Sequence, residues 1–170
     1  MAQRFRGESI HKVDGKGRVS IPALFRRVLE AGDPSWADGL NPNLVIVYGG
    51  ASQKYLEVYT QDAIAEVDDK IARLPRGSKE RRVMEHIFNS QSLPTQTDDT
   101  GRLVLPQKLR DKAGISNEAY FKASGDTFQI WAPDAHDMRN EDIEAWLSDK
   151  GDDFDPLTLL ELVPQPQSGA

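Results

Sequence analysis

Apolar positions along this chain switch twice between short strand-like runs and helical spacing, in the same order both times. Leu44 to Tyr48 and Tyr55 to Tyr59, around Gly49-Gly50, predict a hairpin, and Ala119 to Ala123 and Thr127 to Trp131, around Ser124-Gly125-Asp126, predict another. A short helix precedes each. Pro22 to about Ala31 places Phe25, Val28 and Leu29 on one stripe and stops at Gly32, and Pro106 to Ala113 stops at Gly114. Arg4 to Val13, carrying Phe5, Ile10 and Val13, reads as a strand leading into the first series. Between and after the series, Ile64, Val67, Ile71 and Leu74 mark one amphipathic helix. Val83, Met84, Ile87 and Phe88 mark a second, and Met138, Ile143, Trp146 and Leu147 a third.

The junction before each helix is duplicated residue by residue. Asp14-Gly15-Lys16-Gly17-Arg18-Val19-Ser20-Ile21-Pro22 returns 84 positions later as Asp98-Asp99-Thr100-Gly101-Arg102-Leu103-Val104-Leu105-Pro106. An acid, then Gly and Arg, then a β-prone run and a Pro recur at identical spacing, followed by Phe25-Arg26 against Leu109-Arg110. Gly17 and Gly101 fall where the chain reverses, since glycine accepts the positive φ of tight turns, and the carboxylates of Asp14 and Asp98 are placed to bond turn N–H groups. What is repeated is a turn that presents Arg. The first copy carries about ten extra residues in its 33 to 43 loop, because Tyr48 and Lys122 are only 74 apart.

Two such small copies cannot each bury a core of their own. The expected fold class is α+β, mainly β: one pseudo-twofold domain with interleaved strands, short helices and flanking amphipathic helices, placing the two Gly-Arg turns on a common face. The expected organisation is a first half with its following helix over 1–75, a connecting helix over 76–91, a second half with its C-terminal helix over 92–150, and an acidic, disordered tail over 151–170.

Composition changes the picture in its distribution rather than its sum. The formal net charge is −6. Residues 1–27 nevertheless hold seven Lys/Arg against two acids, and residues 133–170 hold ten acids against Arg139 and Lys150. A further basic run spans Lys70 to Arg82. No apolar stretch is long enough for a membrane span, and no apolar run follows Arg4 and Arg6 as a secretory signal requires. The chain has no Cys, which excludes disulfides and thiolate metal sites and fits a reducing cytosol. His11, His86 and His136 share no ligand spacing, so no metal and no cofactor is expected. Asp99-Thr100-Gly101 matches the D-T-G of aspartic proteases, but Gly15-Lys16-Gly17 stands at the aligned place. A dyad of Asp14 and Asp98 would have Arg18 and Arg102 beside it, keeping both acids ionised. An aspartic-type hydrolase is the remote alternative, and no enzyme is expected.

Through Phe5-Arg6-Gly7, the doubled D-x-x-G-R with Ile21-Pro22 and Leu105-Pro106, the midchain Arg81-Arg82 and Ile130-Trp131, the chain resembles the MraZ family over about residues 4 to 148. These are bacterial transcription factors with two SpoVT-AbrB-type half-domains. The resemblance implies a swapped-hairpin, AbrB-like β-barrel. It also implies a homo-oligomeric ring that binds double-stranded DNA at repeated short G-rich promoter elements, including those of its own division and cell-wall operon. Arg18 and Arg102 match the family's DNA-contacting arginines. The chain departs from the pattern at Tyr59-Thr60-Gln61-Asp62, at Asn89-Ser90-Gln91-Ser92 and in the tail.

On the functional reading, Arg18 and Arg102 enter the major groove, where a guanidinium fork matches the acceptor pair of guanine. The alternative is an ion pair within each motif, and the two are compatible. Lys16 is a phosphate contact, and its counterpart Thr100 offers only a neutral hydroxyl, so the two half-sites differ in electrostatic strength. Arg4, Arg6, Lys12 and Arg26 are further backbone candidates. Asp14, Gly17, Asp98 and Gly101 form the turns. The expectation is a cytoplasmic, nucleoid-associated repressor with DNA and its own copies as partners, and with no membrane and no small-molecule substrate. The alternative class is a protein-interaction or antitoxin-like module whose acidic tail holds a partner.

Overall fold

Each copy of the repeat is completed by the first strand of the other. The computed structural model describes residues 4–166. The remaining ends of the N-terminal and tail readings, and the side chains of Met138 and Arg139, lie outside the described residues. The first copy runs β1 (Glu8–Lys12), β2 (Arg18–Ser20), α1 (Ala23–Ala31), β3 (Asn43–Val47) and β4 (Leu56–Thr60). After α2 (Gln61–Ala72) and α3 (Lys79–Glu85), the second runs β5 (Ser92–Gln96), β6 (Arg102–Val104), α4 (Gln107–Ala113), β7 (Glu118–Ser124) and β8 (Thr127–Trp131). Helix α5 (Pro133–Asp149) follows. The chain divides into two compact units, 1–136 and 137–170.

Six strands form one antiparallel sheet in the order β1-β7-β8-β4-β3-β5. That order reads the same from either end when the copies are exchanged. Glu8 to Lys12 pair with Lys122 to Glu118 of the second copy, and Ser92 to Gln96 pair with Val47 to Asn43 of the first. A separate two-stranded ribbon pairs β2 with β6 across the copies. The α+β, mainly antiparallel class and the interleaving expected from the repeat are thus present. The sheet stays open, with β1 and β5 as its edges, so it is not a barrel closed by hydrogen bonds. The ribbon packs on the same core: Val19 and Leu103 join Leu44, Leu56, Phe121 and Phe128 in one buried cluster. Phe5, Phe25 and Phe128 lie edge to face or tilted within it, centroids 4.9 to 5.2 Å apart.

The helices start and stop for local reasons. Thr60 caps α2 by accepting the Ala63 N–H at 3.0 Å, and the Ser78 hydroxyl caps α3 from Arg81 at 3.2 Å. Gly114 ends α4 at φ 68°. The strand Ser92–Gln96 is one that the apolar pattern does not mark. Leu93 is its one large apolar residue, and Pro94 is tolerated because β5 pairs on one side only. The first hairpin turns over residues 48 to 55 rather than at Gly49-Gly50 alone, and the Gln53 amide closes that loop by donating to the Val47 and Tyr55 carbonyls. In the second unit, Pro156–Leu162 forms a 3-10 helix capped by Asp155, local order that the tail's composition did not suggest.

Candidate nucleic-acid interface

The two duplicated turns have the same construction. Asp14 Oδ1 accepts the N–H groups of Lys16 and Arg18, both at 2.9 Å, while Oδ2 accepts Arg18 Nε at 2.6 Å. Asp98 Oδ1 accepts the N–H groups of Thr100 and Arg102 and the Thr100 hydroxyl, all at 2.9 Å, and its Oδ2 accepts Arg102 Nε at 3.0 Å. Gly17 and Gly101 take φ 83° and 77°, the left-handed region the reversal needs.

These bonds set the charge state of both acids. Asp14 is held down at about 2, chiefly by the Arg18 N–H, with the Arg18 guanidinium and the Lys16 N–H adding to it. At Asp98 burial works the other way, but the Arg102 and Thr100 N–H groups, the Thr100 hydroxyl and the Arg102 charge outweigh it, and the carboxyl again lies at about 2. Two acids ionised in separate turns cannot share a proton as an aspartic dyad does. Asp99 bonds Asn41 Nδ2 at 2.8 Å and is not paired with Asp14 or Asp98.

Strand alternation decides where the arginines go. Val19 and Leu103 point into the core, so Arg18, Ser20, Arg102 and Val104 occupy the opposite face of the ribbon. The register pairs Arg18 with Val104 and Ser20 with Arg102, making the two arginines diagonal neighbours, about 7–8 Å apart at the backbone. Each side chain is 35% exposed. In each, the carboxylate takes the Nε edge; among the described residues, no hydrogen bond ties the outer Nη groups. Each Asp thus orients its Arg while leaving donors directed outward.

The other candidates divide. Lys16 is exposed at the tip of the first turn, and Lys12 is exposed on the strand end leading into it. Arg4 lies at the other end of β1, beside Gly125 in the β7–β8 turn, with Arg6 close by in sequence. The structure therefore gathers Arg18, Arg102, Lys16 and Lys12, and leaves Arg4 and Arg6 apart from them. Arg26 is half-buried, with Glu30 at 3.8 Å and Asn41 at 3.4 Å, and its tip stands beside Gly101.

Neither turn is held in place by its own residues alone. Arg110 Nε donates to the Leu105 carbonyl at 2.8 Å and flanks Gly17. Each turn therefore rests on an Arg from the other copy's helix, Arg110 for the first and Arg26 for the second. The repeat carried the signal, since Phe25-Arg26 and Leu109-Arg110 are aligned. Asn41 had no such signal, because the inserted loop has no counterpart.

The chain is similar to known proteins over most of its length. Residues 93–152 match the family described as "MraZ protein, putative antitoxin-like". A protein of Ruegeria sp. (strain TM1040) named "Transcriptional regulator MraZ" is 61% identical over 162 residues, covering 95% of this chain and 97% of its own length. Proteins of the same name from Cereibacter sphaeroides (strain ATCC 17029 / ATH 2.4.9) and Coxiella burnetii (strain Dugway 5J108-111) are 42% and 29% identical. They cover 95% and 89% of this chain, and 98% and 95% of their own lengths. With identity at that level sustained across both copies of the repeat, this chain belongs to the MraZ family.

Proposed function

We propose that this chain is a sequence-specific DNA-binding transcriptional regulator in which Arg18 and Arg102 read guanine in the major groove. The observation that carries the reading is the pair of Asp-held guanidinium groups on one exposed face of the β2–β6 ribbon. An Arg fixed along its Nε edge, with Nη groups outward, is pre-organised to meet the O6 and N7 acceptors of guanine. Lys16 and Lys12 add phosphate contacts beside the first turn, and Arg4 and Arg6 can reach backbone only further along the duplex. The relatives' name, transcriptional regulator, agrees with this chemistry.

Two arginines about 7–8 Å apart span only a few base pairs, so one protomer covers a single short element. Tight binding then requires several linked protomers on repeated elements, because a second contact made by an already tethered copy costs far less. Taken with what the family resemblance implies, the reading is a homo-oligomeric ring on short G-rich repeats, repressing its own division and cell-wall operon in the cytoplasm, on the nucleoid. The test is a gel shift with the region upstream of its own gene, alongside light scattering. Arg18→Ala and Arg102→Ala are each expected to abolish or strongly weaken the shift at unchanged assembly size. Full binding by both variants would overturn the assignment.

A further inference from the structure

Away from the turns, one surface combines open apolar area with a single sign of charge. Lys79, Arg82, Val83 and His86 follow one another at helical spacing along one face of α3 and into the π turn, His86–Ser90, that continues it. With Ile87 and the loop at Gly50 they line a groove of about 660 Å³ in which no acid takes part. Val83 is 46% exposed. Arg81, the neighbouring cation, is engaged elsewhere: it donates to the Leu74 carbonyl at 3.1 Å and faces Glu85 at 3.7 Å. That leaves Lys79 and Arg82 as the charges directed at the groove.

The second unit carries the opposite combination. Its 3-10 helix, Pro156–Leu162, exposes Leu157, Leu160 and Leu162, the last by 82%, and Val163 beyond it is exposed too. In a 3-10 helix residues three apart eclipse, so Leu157 and Leu160 form one ridge with a step of about 6 Å, and Val163 follows at its end. The row Lys79, Val83, Ile87 along the groove steps by about the same distance. Asp149, Asp152, Asp153 and Asp155 precede the ridge in the sequence and Glu161 lies within it, so the segment that carries it is acidic. A soluble chain rarely leaves such an apolar ridge uncovered without a use for it.

We propose that the leucine ridge of one copy seats in the α3 groove of a second copy, with Lys79 and Arg82 facing its acids. The proposal rests on the homo-oligomeric part of the reading above and not on its DNA contacts. Groove and ridge are different surfaces, so the contact is head-to-tail: every copy offers one of each, and joining them continues until the chain of copies closes. Apolar burial supplies the affinity and the charge pairs supply direction, so the contact also weakens as salt rises.

The experiment uses full-length variants and light scattering over a concentration series, with circular dichroism to show that each is folded. Leu157→Ser with Leu160→Ser removes the ridge, and Arg82→Glu with Val83→Ser removes the groove; all four positions are exposed, so the fold is expected to survive. Each double variant is expected to raise the concentration needed for half-assembly about a hundredfold or more. Mixed in equal amounts, the two variants can form one intact contact, giving pairs of chains and nothing larger. A wild-type chain that stays monomeric, a variant that keeps the wild-type mass profile, or a mixture no larger than its parts each overturns the proposal. The last result would mean that the ridge docks on its own chain or on another protein. Arg18→Ala with Arg102→Ala keeps the wild-type mass profile whether or not those residues touch DNA, so the two readings fail separately.

Discussion

Gly17 and Leu105 are held in direct backbone contact: the Leu105 N–H donates to the Gly17 carbonyl at 2.8 Å, and a Cβ on Gly17 would overlap the Leu105 carbonyl oxygen. The first Arg turn is thereby built into the second copy. Gly17→Ala meets both a positive φ and a backbone atom that cannot move aside, and is expected to lower stability by roughly 2–4 kcal/mol. At Gly101 the added Cβ would meet the tip of Arg26 at 2.9 Å, a flexible group that can shift. Gly101→Ala is therefore expected to cost only the backbone strain, about 1–2 kcal/mol. Urea midpoints decide it, and equal losses at the two sites would show that the Leu105 contact is not what distinguishes them.

Strand exchange makes a second prediction. Since β1 pairs with β7 and β5 with β3, cutting the chain between residues 91 and 92 removes an edge strand from each half. Neither fragment is expected to show a folded amide spectrum alone, and mixing them is expected to restore one. Two independently folded fragments would contradict the shared core.

The turn carboxylates give a pH prediction. Asp14 and Asp98 lie at about 2, below the ordinary 3.8, so the folded state binds their protons more weakly than the unfolded state does. Their contribution to stability is fully present above about pH 4 and is lost as pH falls through about 2. Carboxyl-carbon NMR should place both midpoints near 2. In Arg18→Ala the Asp14 midpoint should rise only part of the way, because the N–H groups of residues 16 and 18 remain. A return to 3.8 would mean that the guanidinium, not the backbone, holds the turn together.

These elements differ in how much of them the sequence made legible. The Gly-Arg turns, both short helices and the second hairpin follow from residues that act locally: Gly17 and Gly101 need positive φ, Pro22 and Pro106 precede helices, and Gly114 ends one. The strand Ser92–Gln96 could not be seen this way, because an edge strand paired on one side can be polar and can hold Pro94. Exchange of β1 and β5 was foreshadowed by the size argument and by the swapped-hairpin fold that the family resemblance implies, and its register also matches charge, with Glu8 opposite Lys122 and Lys12 opposite Glu118. At the site, the Asp–Arg pairs were legible as spacing. The support from Asn41 to Asp99 was not, since residues 58 positions apart meet only through the tertiary fold.

The same construction also predicts that the two turns are unequal on DNA. Both orient an Arg through an Asp, but the first offers the Lys16 ammonium at its tip, while in the second Thr100 spends its hydroxyl on Asp98 and Asp99 adds a negative charge. Lys16→Thr should weaken binding by a similar factor on every DNA sequence and reduce the slope of log affinity against log salt by about 1, because one phosphate contact and its released counterion are lost. Arg18→Ala should instead lower discrimination between G-rich and scrambled duplexes, the loss expected of a base contact. Fluorescence anisotropy titrations of both variants at several salt concentrations separate the two effects. If Lys16→Thr left the salt slope untouched, the phosphate role assigned to the first turn would be wrong, and the asymmetry between the turns would have to arise from Asp99 alone.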